Sequence, residues 1–482
     1  MKKFDTKKFA NTLKKKIYTN LSSNRVFLNN KKDYSFSYLN KFLENINFQL
    51  DGIKKNSTLI VICNKSFQSY SAHIFAFISS FKWVPISENI SFDDLENIIN
   101  QFNQPIIIHN NYQFSGKIKE KQKINLASIS LNESKKIKVF FERLKDTKAI
   151  YFTSGSSGKP KGVMLSLENI LSNIYNINEI LKIRKVDYFI DFHEVSFVIS
   201  VPILINCFVN GSTLKPASFN DLLMIKKLKN SENSILITVP TLLRAMMKIL
   251  RQKHNFKYLI TCGEPIDKDL ILEIKKKITY KKFFNFYGAT EVAPWILNCD
   301  LDLVVENNLF IDTYAPAGKV MKFATLQIDE SNSLQVYGPQ VFKSYLGKKF
   351  SINKKKKGYF FYNTGDIFEK KSDYYFCKGR VDHQFKRRGY RLNILNLEAN
   401  YKKILKKNKL YVVFLDNLSK IFCITENKVS ELEKKKIKNI LPSFKHPDYY
   451  LDLKNQKKTS TGKISRTELK IFCKNIYNEQ LK

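Results

Sequence analysis

The chain has 482 residues, of which 43% are hydrophobic and 26% are charged. This balance is typical of a large folded protein and excludes a disordered chain or a single small binding module. The net charge of +39 is typical of proteins with polyanionic partners. Only ten of the 82 basic residues are Arg, however, and Lys is spread along the whole chain. We therefore do not expect nucleic-acid binding to be the main function.

The cysteines and the N-terminus indicate a cellular compartment. Seven cysteines occur singly, without a CxxC pair, which predicts reduced thiols and neither a zinc site nor a disulfide framework. The first 20 residues carry charges throughout and lack the apolar core of a signal peptide. The best apolar stretches are shorter than the roughly 18 residues that a membrane-spanning helix needs. We expect a soluble, cytoplasmic protein with no membrane insertion.

Short β-rich runs alternate with helical patterns through most of the chain. Apolar runs at 58–63, 83–86, 105–109, 149–153, 235–239, 258–261 and 283–286 predict strands. Apolar residues at helical spacing predict helices near 67–80, 170–181 and 270–278, and a further helix through Arg244 and Met247. Strand and helix in turn indicate βαβ units and an α/β fold with largely parallel sheets. From about Asp373, closely spaced strands at 374–377, 410–414 and 421–424 predict a small α+β domain.

The segment with the most chemical content is residues 151–166, YFTSGSSGKPKGVMLS, between a predicted strand and a predicted helix. Small hydroxyl and glycine residues let backbone N–H groups approach a phosphate closely, and neighbouring lysines supply positive charge. The spacing differs from a Walker loop, and a flexible surface turn is the alternative interpretation. The residues that would hold phosphate are Thr153, Ser154, Gly155, Ser156, Ser157, Gly158, Lys159 and Lys161.

Four later segments occur in an informative order. They are NFYGATE at 285–291, YNTGD at 362–366, GRVDHQFKRRGYRL at 379–392 and STGKISR at 460–466. With the first loop, this set resembles the motifs of the adenylate-forming superfamily, which contains acyl-CoA synthetases, luciferases and the adenylation enzymes of nonribosomal peptide synthesis. The motif sequences are most similar to those of freestanding amino-acid adenylation enzymes, such as ligases that load D-alanine onto a carrier protein. Weaker matches extend the resemblance over nearly the whole chain.

The resemblance implies a fold with two domains. A large N-terminal domain of stacked αβ sheets is expected over residues 1–381. A small mobile α+β lid is expected over residues 382–482. Asp382 matches the family's hinge residue, about which the lid rotates between an adenylation pose and a thioester pose that presents residues 386–389.

The resemblance also implies a reaction with ATP and Mg²⁺. A carboxylate attacks the α-phosphate, pyrophosphate leaves and an acyl-adenylate forms, so cationic groups are required. Lys463 matches the catalytic lysine, Glu291 the Mg²⁺ ligand and Thr290 a phosphate contact. The matched nucleotide contacts are Asn285, Tyr287 and Gly288 near adenine, and Asp366 with Arg380 at the ribose. Four of the ten arginines lie at 380–391, which favours a need for the planar guanidinium there.

The carboxylic acid itself is the least determined part. Amino-acid-activating members carry an Asp that pairs with the substrate ammonium, and Val198 stands at that position here. Because an unpaired buried ammonium is costly, either the substrate lacks an α-amino group or Glu194, with His193 as a further candidate, replaces the Asp. The substrate-pocket candidates are His193, Glu194, Val198, Cys262, Gly263 and Ala289.

The acceptor has two candidates. The chain ends 19 residues after Lys463 with no attached carrier domain, so we expect a separate thiol to receive the acyl group. A carrier protein's phosphopantetheine arm is the first candidate, and free CoA, as in an acyl- or aryl-CoA ligase, is the second. A non-catalytic, basic nucleic-acid binder is a remote third interpretation, against which the intact set Glu291, Asp366 and Lys463 argues.

Overall fold

The computed structural model describes residues 4–30, 32–114, 122–154, 160–217, 231–250, 253–311, 313–347, 359, 361–380, 384–407, 410–452 and 466–480. The helices in these ranges are α1 (Thr6–Leu21), α2 (Phe36–Gln49), α3 (Phe67–Ile78), α4 (Phe92–Ile99), α5 (Leu167–Leu181), α6 (Ser200–Asn210), α7 (Pro240–Ile249), α8 (Lys268–Lys277), α9 (Leu301–Glu306), α10 (Ile394–Leu405), α11 (Glu431–Ile440) and α12 (Arg466–Gln480). Across the described part of the chain, no helix combines the length and apolar character required to cross a bilayer.

Within the described residues, the strands form two large and three small sheets. They are β1 (Val26–Asn30), β2 (Lys32–Ser35), β3 (Thr58–Cys63), β4 (Lys82–Ser87), β5 (Ile106–His109), β6 (Lys123–Asn125), β7 (Thr147–Ser154), β8 (Pro160–Ser166), β9 (Tyr188–Asp191), β10 (Thr213–Pro216), β11 (Ser231–Thr238), β12 (His254–Cys262), β13 (Ile278–Gly288), β14 (Trp295–Asp300), β15 (Lys319–Val320), β16 (Thr325–Ile328), β17 (Ser333–Tyr337), β18 (Ser344–Tyr345), β19 (Phe361–Lys371), β20 (Tyr374–Arg380), β21 (Gln384–Arg387), β22 (Tyr390–Asn393), β23 (Leu410–Leu415), β24 (Lys420–Thr425) and β25 (Tyr449–Asp452).

The two large sheets are mainly parallel, as the alternation of strands and helices predicts. One has nine strands in the order β15-β14-β13-β12-β11-β9-β10-β1-β2, and the other has seven in the order β18-β8-β7-β4-β3-β5-β6. The central pairs are parallel, for example Thr261 with Asn285. Antiparallel strands lie only toward the edges, where short loops such as the one between β7 and β8 join neighbours.

Helices α3, α5 and α6 explain how the sheets are held together. Nearly every residue of α3 and α6 is buried, which fits helices without an acidic residue, lysine or arginine. These helices share one hydrophobic cluster with inward-facing strand residues of both large sheets, such as Val61 and Ile237. A core of this size fixes the relative position of the two sheets, and therefore of the loops at their edges.

The C-terminal unit, residues 384–452 and 466–480, has its own core. Its strand β23 alternates, with Leu410, Val412 and Phe414 in one cluster and Val413 and Leu415 in another. Helix α10 packs against the first face and α12 against the second, as expected for a strand that is buried on both sides. The predicted boundary at 381/382 and the hinge residue Asp382 lie outside the described residues.

One predicted strand belongs to a different sheet from the one expected. The run at 374–377 was expected to begin the small domain, but it forms part of β20, which pairs with β19 in the four-stranded sheet β16-β17-β19-β20. The pairing places Asp366 opposite Arg380. Strand spacing alone suggested a domain start near Asp373, because spacing does not reveal which partner a strand finds, and the bounds 1–381 and 382–482 remain predictions.

Candidate active site

The candidate site lies where several parallel strands of the nine-stranded sheet end. The carboxyl ends of β9, β11, β12 and β13 lie at one edge of the sheet, because these strands run side by side. In open α/β sheets, this edge is where ligands bind. A cavity of about 540 Å³ opens there, between the four-stranded sheet and the C-terminal unit.

Residues predicted to bind the nucleotide line this cavity together. Asn285, Tyr287, Asp366 and Arg380 all contribute to its wall. They come from β13, β19 and β20, so the structure joins positions up to 95 residues apart in sequence. Gly263 also lines the cavity, and Lys386 lines it from the C-terminal unit.

Both oxygens of the Asp366 carboxylate have side-chain partners in the cavity. One oxygen accepts a hydrogen bond from the Tyr287 hydroxyl, and the other pairs with the Arg380 guanidinium. The Asp366 amide donates to Thr364 Oγ1 at 3.1 Å. Burial, followed by the nearby Asp366 charge, raises the pKa of Tyr287, so this hydroxyl stays protonated and remains a donor. The carboxylate is therefore fixed in position, and each oxygen has a further lone pair for a ligand hydroxyl.

The side chain of Asn285 is held by its own sheet. Its amide Nδ2 donates to the carbonyl oxygen of Pro316 at 2.9 Å, and the residue is 6% exposed. This bond turns the amide oxygen away from Pro316, although the side chain still borders the cavity. The ring of Tyr287 packs edge-on against Phe368 at 5.0 Å between centroids. Both side chains thus have fixed orientations before any ligand arrives.

Gly288 marks a point where two backbone segments nearly touch. A Cβ atom at this position would lie 1.8 Å from the carbonyl oxygen of Pro294. Only glycine fits such an approach. The contact fixes the turn that follows, in which Ala289 precedes a short 3₁₀ helix, Thr290–Val292.

Glu291 connects this turn to the predicted phosphate loop. It is 2% exposed, and its Oε1 accepts a hydrogen bond from the Tyr345 hydroxyl at 2.9 Å. Tyr345 lies on β18, which pairs with β8, and the Lys161 ammonium lies 5.9 Å from the Tyr345 ring centroid. Tyr345 therefore connects Glu291 with strand β8, which follows the predicted phosphate loop. The sequence did not predict a role for Tyr345, because a single tyrosine within a weak motif match does not indicate a particular chemistry.

The described ends of the phosphate loop form a regular hairpin. Thr153 pairs with Lys161, and Ser154 pairs with Pro160, between β7 and β8. Gly155, Ser156, Ser157, Gly158 and Lys159 lie outside the described residues, as does the predicted catalytic residue Lys463. Among the residues that are described, no group of three or more His, Cys, Asp or Glu side chains is arranged to hold a metal ion.

Most of the substrate-pocket candidates lie at or just beyond the carboxyl ends of strands in the nine-stranded sheet. His193 and Glu194 follow β9, Val198 precedes α6, Cys262 ends β12, and Ala289 follows β13. The His193 amide donates to Asp191 Oδ1 at 3.0 Å, and its Nδ1 lies 3.5 Å from the same oxygen. Val198 is buried, and burial raises the pKa of Cys262 to about 12, so that thiol remains neutral. Gly263, by contrast, is the candidate of this group that lines the large cavity.

Glu194 has a partner that the sequence did not suggest. Its Oε1 accepts a hydrogen bond from the Tyr390 hydroxyl at 2.8 Å, across the boundary to the C-terminal unit. Nearby, Glu264 accepts hydrogen bonds from Thr241 and from the Gly389 amide. The Lys386 ammonium donates to the carbonyl oxygen of Gly288 at 3.3 Å. The hairpin β21–β22 thus lies directly on the site.

Comparison with known proteins identifies the group to which this arrangement is similar. The sequence model of the AMP-binding enzyme family matches residues 21–346. The D-alanine–D-alanyl carrier protein ligase of Bacillus licheniformis is 26% identical over 360 residues, which is 67% of this chain and 71% of that protein.

Two solved structures share the fold. The adenylation domain AlmE of Vibrio cholerae, in complex with glycyl-adenosine-5'-phosphate, has a TM-score of 0.80 at 16% identity, covering 98% of this chain and 99% of that one. The o-succinylbenzoate CoA synthetase of Bacillus subtilis, bound with a product analogue, has a TM-score of 0.77 at 17% identity, covering 95% and 98%. A second structure of that synthetase, with ATP and magnesium ion, has a TM-score of 0.67 at 18% identity, covering 95% and 99%. These likenesses confirm the predicted α/β fold of stacked sheets with a smaller α+β unit.

Proposed function

Because the chain belongs to the AMP-binding enzyme family, we propose that it activates an amino acid or similar small carboxylic acid with ATP and transfers it to a carrier protein. The transfer would join the acyl group to the thiol of a phosphopantetheine arm. Family membership itself confirms the predicted enzyme class, an ATP-dependent adenylate-forming ligase, and its cofactors ATP and Mg²⁺.

The observation that carries the proposal is the cavity in which Asn285, Tyr287, Asp366 and Arg380 meet. In the proposed complex, the adenine lies beside Tyr287 and Asn285, and the ribose hydroxyls donate to the fixed oxygens of Asp366. Arg380 pairs with this carboxylate and adds positive charge near the phosphates. Positioning of this kind removes much of the entropic cost of bringing two anions together.

Glu291 fits the role of Mg²⁺ ligand. A single buried carboxylate, oriented by Tyr345, suits an ion that takes most of its oxygen ligands from phosphate and water. When bound, Mg²⁺ supplies charge neutralisation for the leaving pyrophosphate. Lys161, close to the Tyr345 ring, would contact the same phosphates together with Thr153 and Thr290.

The first half-reaction requires only the carboxylic acid and ATP with its Mg²⁺ as reactants. A carboxylate oxygen of the substrate attacks the α-phosphorus, a new O–P bond forms, and the bond to pyrophosphate breaks. We assign Lys463 to the stabilisation of the two anions at this step, as its motif implies. In the second half-reaction, a thiol sulfur attacks the acyl carbon, the C–O bond to AMP breaks, and a thioester remains.

The contact between the hairpin and the site supports the transfer step. Residues 386–390 face the strand ends in this structure, and this region is the one that the family resemblance associates with the thioester pose. The carrier-protein acceptor is further supported by the relative from Bacillus licheniformis. We also place the protein in the cytoplasm, where its free cysteines, six of which are buried, would remain reduced.

A CoA ligase for an acyl or aryl acid is the second candidate. The apolar, buried Val198 favours it, because a substrate without an ammonium group needs no carboxylate there. The two functions differ in what the product requires. A CoA ligase forms its thioester with free CoA alone, whereas the proposed enzyme requires a carrier protein bearing phosphopantetheine.

The test is carboxylate-dependent ATP–pyrophosphate exchange by the full chain with Mg²⁺. A panel of amino, hydroxy, aryl and short fatty acids would be screened, followed by thioester assays with free CoA and with a loaded carrier protein. We expect exchange with a small amino acid, and Lys463→Ala should abolish it while ATP binding persists. Folded wild-type protein that binds ATP but exchanges with no acid would contradict the proposal, as would a thioester formed only with CoA.

A further inference from the structure

The hairpin β21–β22 ends in a tight turn that points into the strand ends of the nine-stranded sheet. Arg387 pairs with Tyr390, and the two residues between them, Arg388 and Gly389, have φ angles of 53° and 83°. Two successive positive φ angles are the mark of a type I′ turn. This turn exposes the Gly389 amide at its tip, ready to donate to a group outside the hairpin.

The base of the hairpin is fixed to the C-terminal unit. The Arg387 side chain is 2% exposed and donates to the carbonyl oxygens of Phe444 and His446 at 3.1 and 2.6 Å. It also donates to the Asp448 carboxylate at 2.6 Å. Because the hairpin is anchored in this way, whatever holds its tip also holds the C-terminal unit.

Two carboxylates of the large part of the chain hold the tip. Glu264 Oε1 accepts from the Gly389 amide at 3.2 Å, while its Oε2 accepts from the Thr241 amide and hydroxyl. Glu194 Oε1 accepts from the Tyr390 hydroxyl at 2.8 Å. The two acceptors follow β9 and β12, so the sheet sets the distance between them.

Tyr390 joins the two units through its ring as well. It stacks on Phe444 of its own unit, with centroids 3.6 Å apart and planes 4° apart. It also meets Phe197 of the large part edge-on at 5.0 Å. The ring is thus held on both sides, and its hydroxyl is directed at Glu194.

We propose that Glu194 and Glu264 form a two-carboxylate receptor for the hairpin tip, and that Glu194 positions the C-terminal unit for thiol transfer through Tyr390. This inference rests on the proposed function. It assigns Glu194 to docking and not to recognition of a substrate ammonium. Glu194 is then a positioning residue for the second half-reaction.

The assignment also bears on the class of substrate. With Val198 in the position of the family's Asp and Glu194 used for docking, neither of these two residues supplies a counter-ion for an α-amino group. Recognition of an amino acid then depends on backbone carbonyl oxygens or other dipoles. The receptor therefore predicts weak discrimination between an α-amino acid and the corresponding acid without the amine.

Substitutions at both ends of the Glu194–Tyr390 hydrogen bond test the receptor. Exchange measures adenylation, and acyl transfer from pre-formed adenylate to pantetheine measures the second step. Pantetheine is the thiol arm common to CoA and carrier proteins. Tyr390→Phe should lower transfer by about tenfold and leave exchange within about twofold of wild type, because the ring contacts persist while one charge-assisted hydrogen bond is lost.

Variants of Glu194 distinguish docking from substrate binding. Glu194→Ala should lower transfer by a similar factor, whereas Glu194→Gln should retain it, since the amide oxygen still accepts from Tyr390. The double variant Glu194→Ala/Tyr390→Phe should be no slower than either single variant. Tyr411→Phe, at a half-buried tyrosine of β23, is the matched control and should leave both steps unchanged.

Each contrary outcome has a separate meaning. Transfer by Tyr390→Phe at the wild-type rate would overturn the receptor, as would additive losses in the double variant. Loss of exchange in Glu194→Gln, with Tyr390→Phe normal, would show that Glu194 contacts the substrate. Absence of exchange in folded wild-type protein would overturn the proposed function and this inference with it.

Discussion

The proposed nucleotide cavity and the proposed hairpin receptor are held by different kinds of contact. Asp366 is oriented by Tyr287 and by its strand partner Arg380, which all belong to the large part of the chain. Glu194 and Glu264 instead contact a hairpin anchored in the C-terminal unit. The first set lies within the large part of the chain, whereas the second set joins that part to the C-terminal unit. The difference indicates a fixed binding site and a releasable contact beside it.

The largest expected effect concerns Gly288, where the two regions meet. Its Cα approaches the Pro294 backbone, and its carbonyl oxygen accepts from Lys386. Gly288→Ala should lower the free energy of unfolding by about 3 kcal/mol, because a backbone clash has no flexible side chain to absorb it. Chemical denaturation measures this loss. Gly52→Ala, at a position with open space around its Cβ, is the control for adding a methyl group to a glycine.

Asp366 tests the fixed cavity. Asp366→Ala should reduce exchange by about 100-fold, since removal of one partner leaves a mostly buried guanidinium without its counter-charge and removes the proposed ribose acceptor. Initial rates of pyrophosphate exchange measure the effect. Glu369→Gln, on the same strand but outside the cavity, should retain activity. Comparable rates for Asp366→Ala and Glu369→Gln would show that the carboxylate does not contact the nucleotide.

Tyr345 tests the connection between Glu291 and the phosphate loop. Tyr345→Phe should lower exchange by about tenfold, because one hydrogen bond to a buried carboxylate is lost. The effect should appear mainly as a higher Mg²⁺ concentration for half-maximal exchange. Tyr337→Phe, whose hydroxyl donates to Gln335 on β17, provides a matched tyrosine away from the site. An unchanged Mg²⁺ titration for Tyr345→Phe would show that Tyr345 does not affect Mg²⁺ binding.

The smallest effect is expected at the hairpin tip. Gly389 has a φ of 83°, and a Cβ atom there would lie 3.8 Å from Val239, so alanine fits sterically but strains the backbone. Gly389→Ala should slow transfer by about fivefold, for a strain of roughly 1 kcal/mol. Gly52→Ala carries similar strain at φ 76° and should not affect transfer. Equal effects of the two substitutions would argue against the receptor.

Much of the fold was predictable because local apolar runs decide strand positions. The run at 58–63 forms β3 with the same bounds, and the helical face at 170–181 forms most of α5. Motif order also led to the four residues that line the cavity. In each case, the information lies within a short stretch of sequence.

Other features depend on contacts between distant residues. Glu264 and Gly389 are 125 positions apart, and Glu194 and Tyr390 are 196 apart. The sequence made Glu194 a substrate-pocket candidate, but no local pattern indicates that Glu194 or Glu264 accepts a hydrogen bond from the hairpin. The sheet partner of β20 likewise could not be predicted from the sequence, since pairing is decided by tertiary packing. Expectations for Gly155–Lys159, Asp382 and Lys463 remain predictions.

The ratio of acyl transfer to adenylation is the most direct test of a fixed cavity beside a releasable contact. Both rates would be measured for wild type, Asp366→Ala and Tyr390→Phe, with pre-formed adenylate and pantetheine for the transfer step. We expect this result: Asp366→Ala loses adenylation, whereas Tyr390→Phe keeps adenylation and loses transfer. Equal losses of both rates in Tyr390→Phe would contradict it, because the two regions would then act as one.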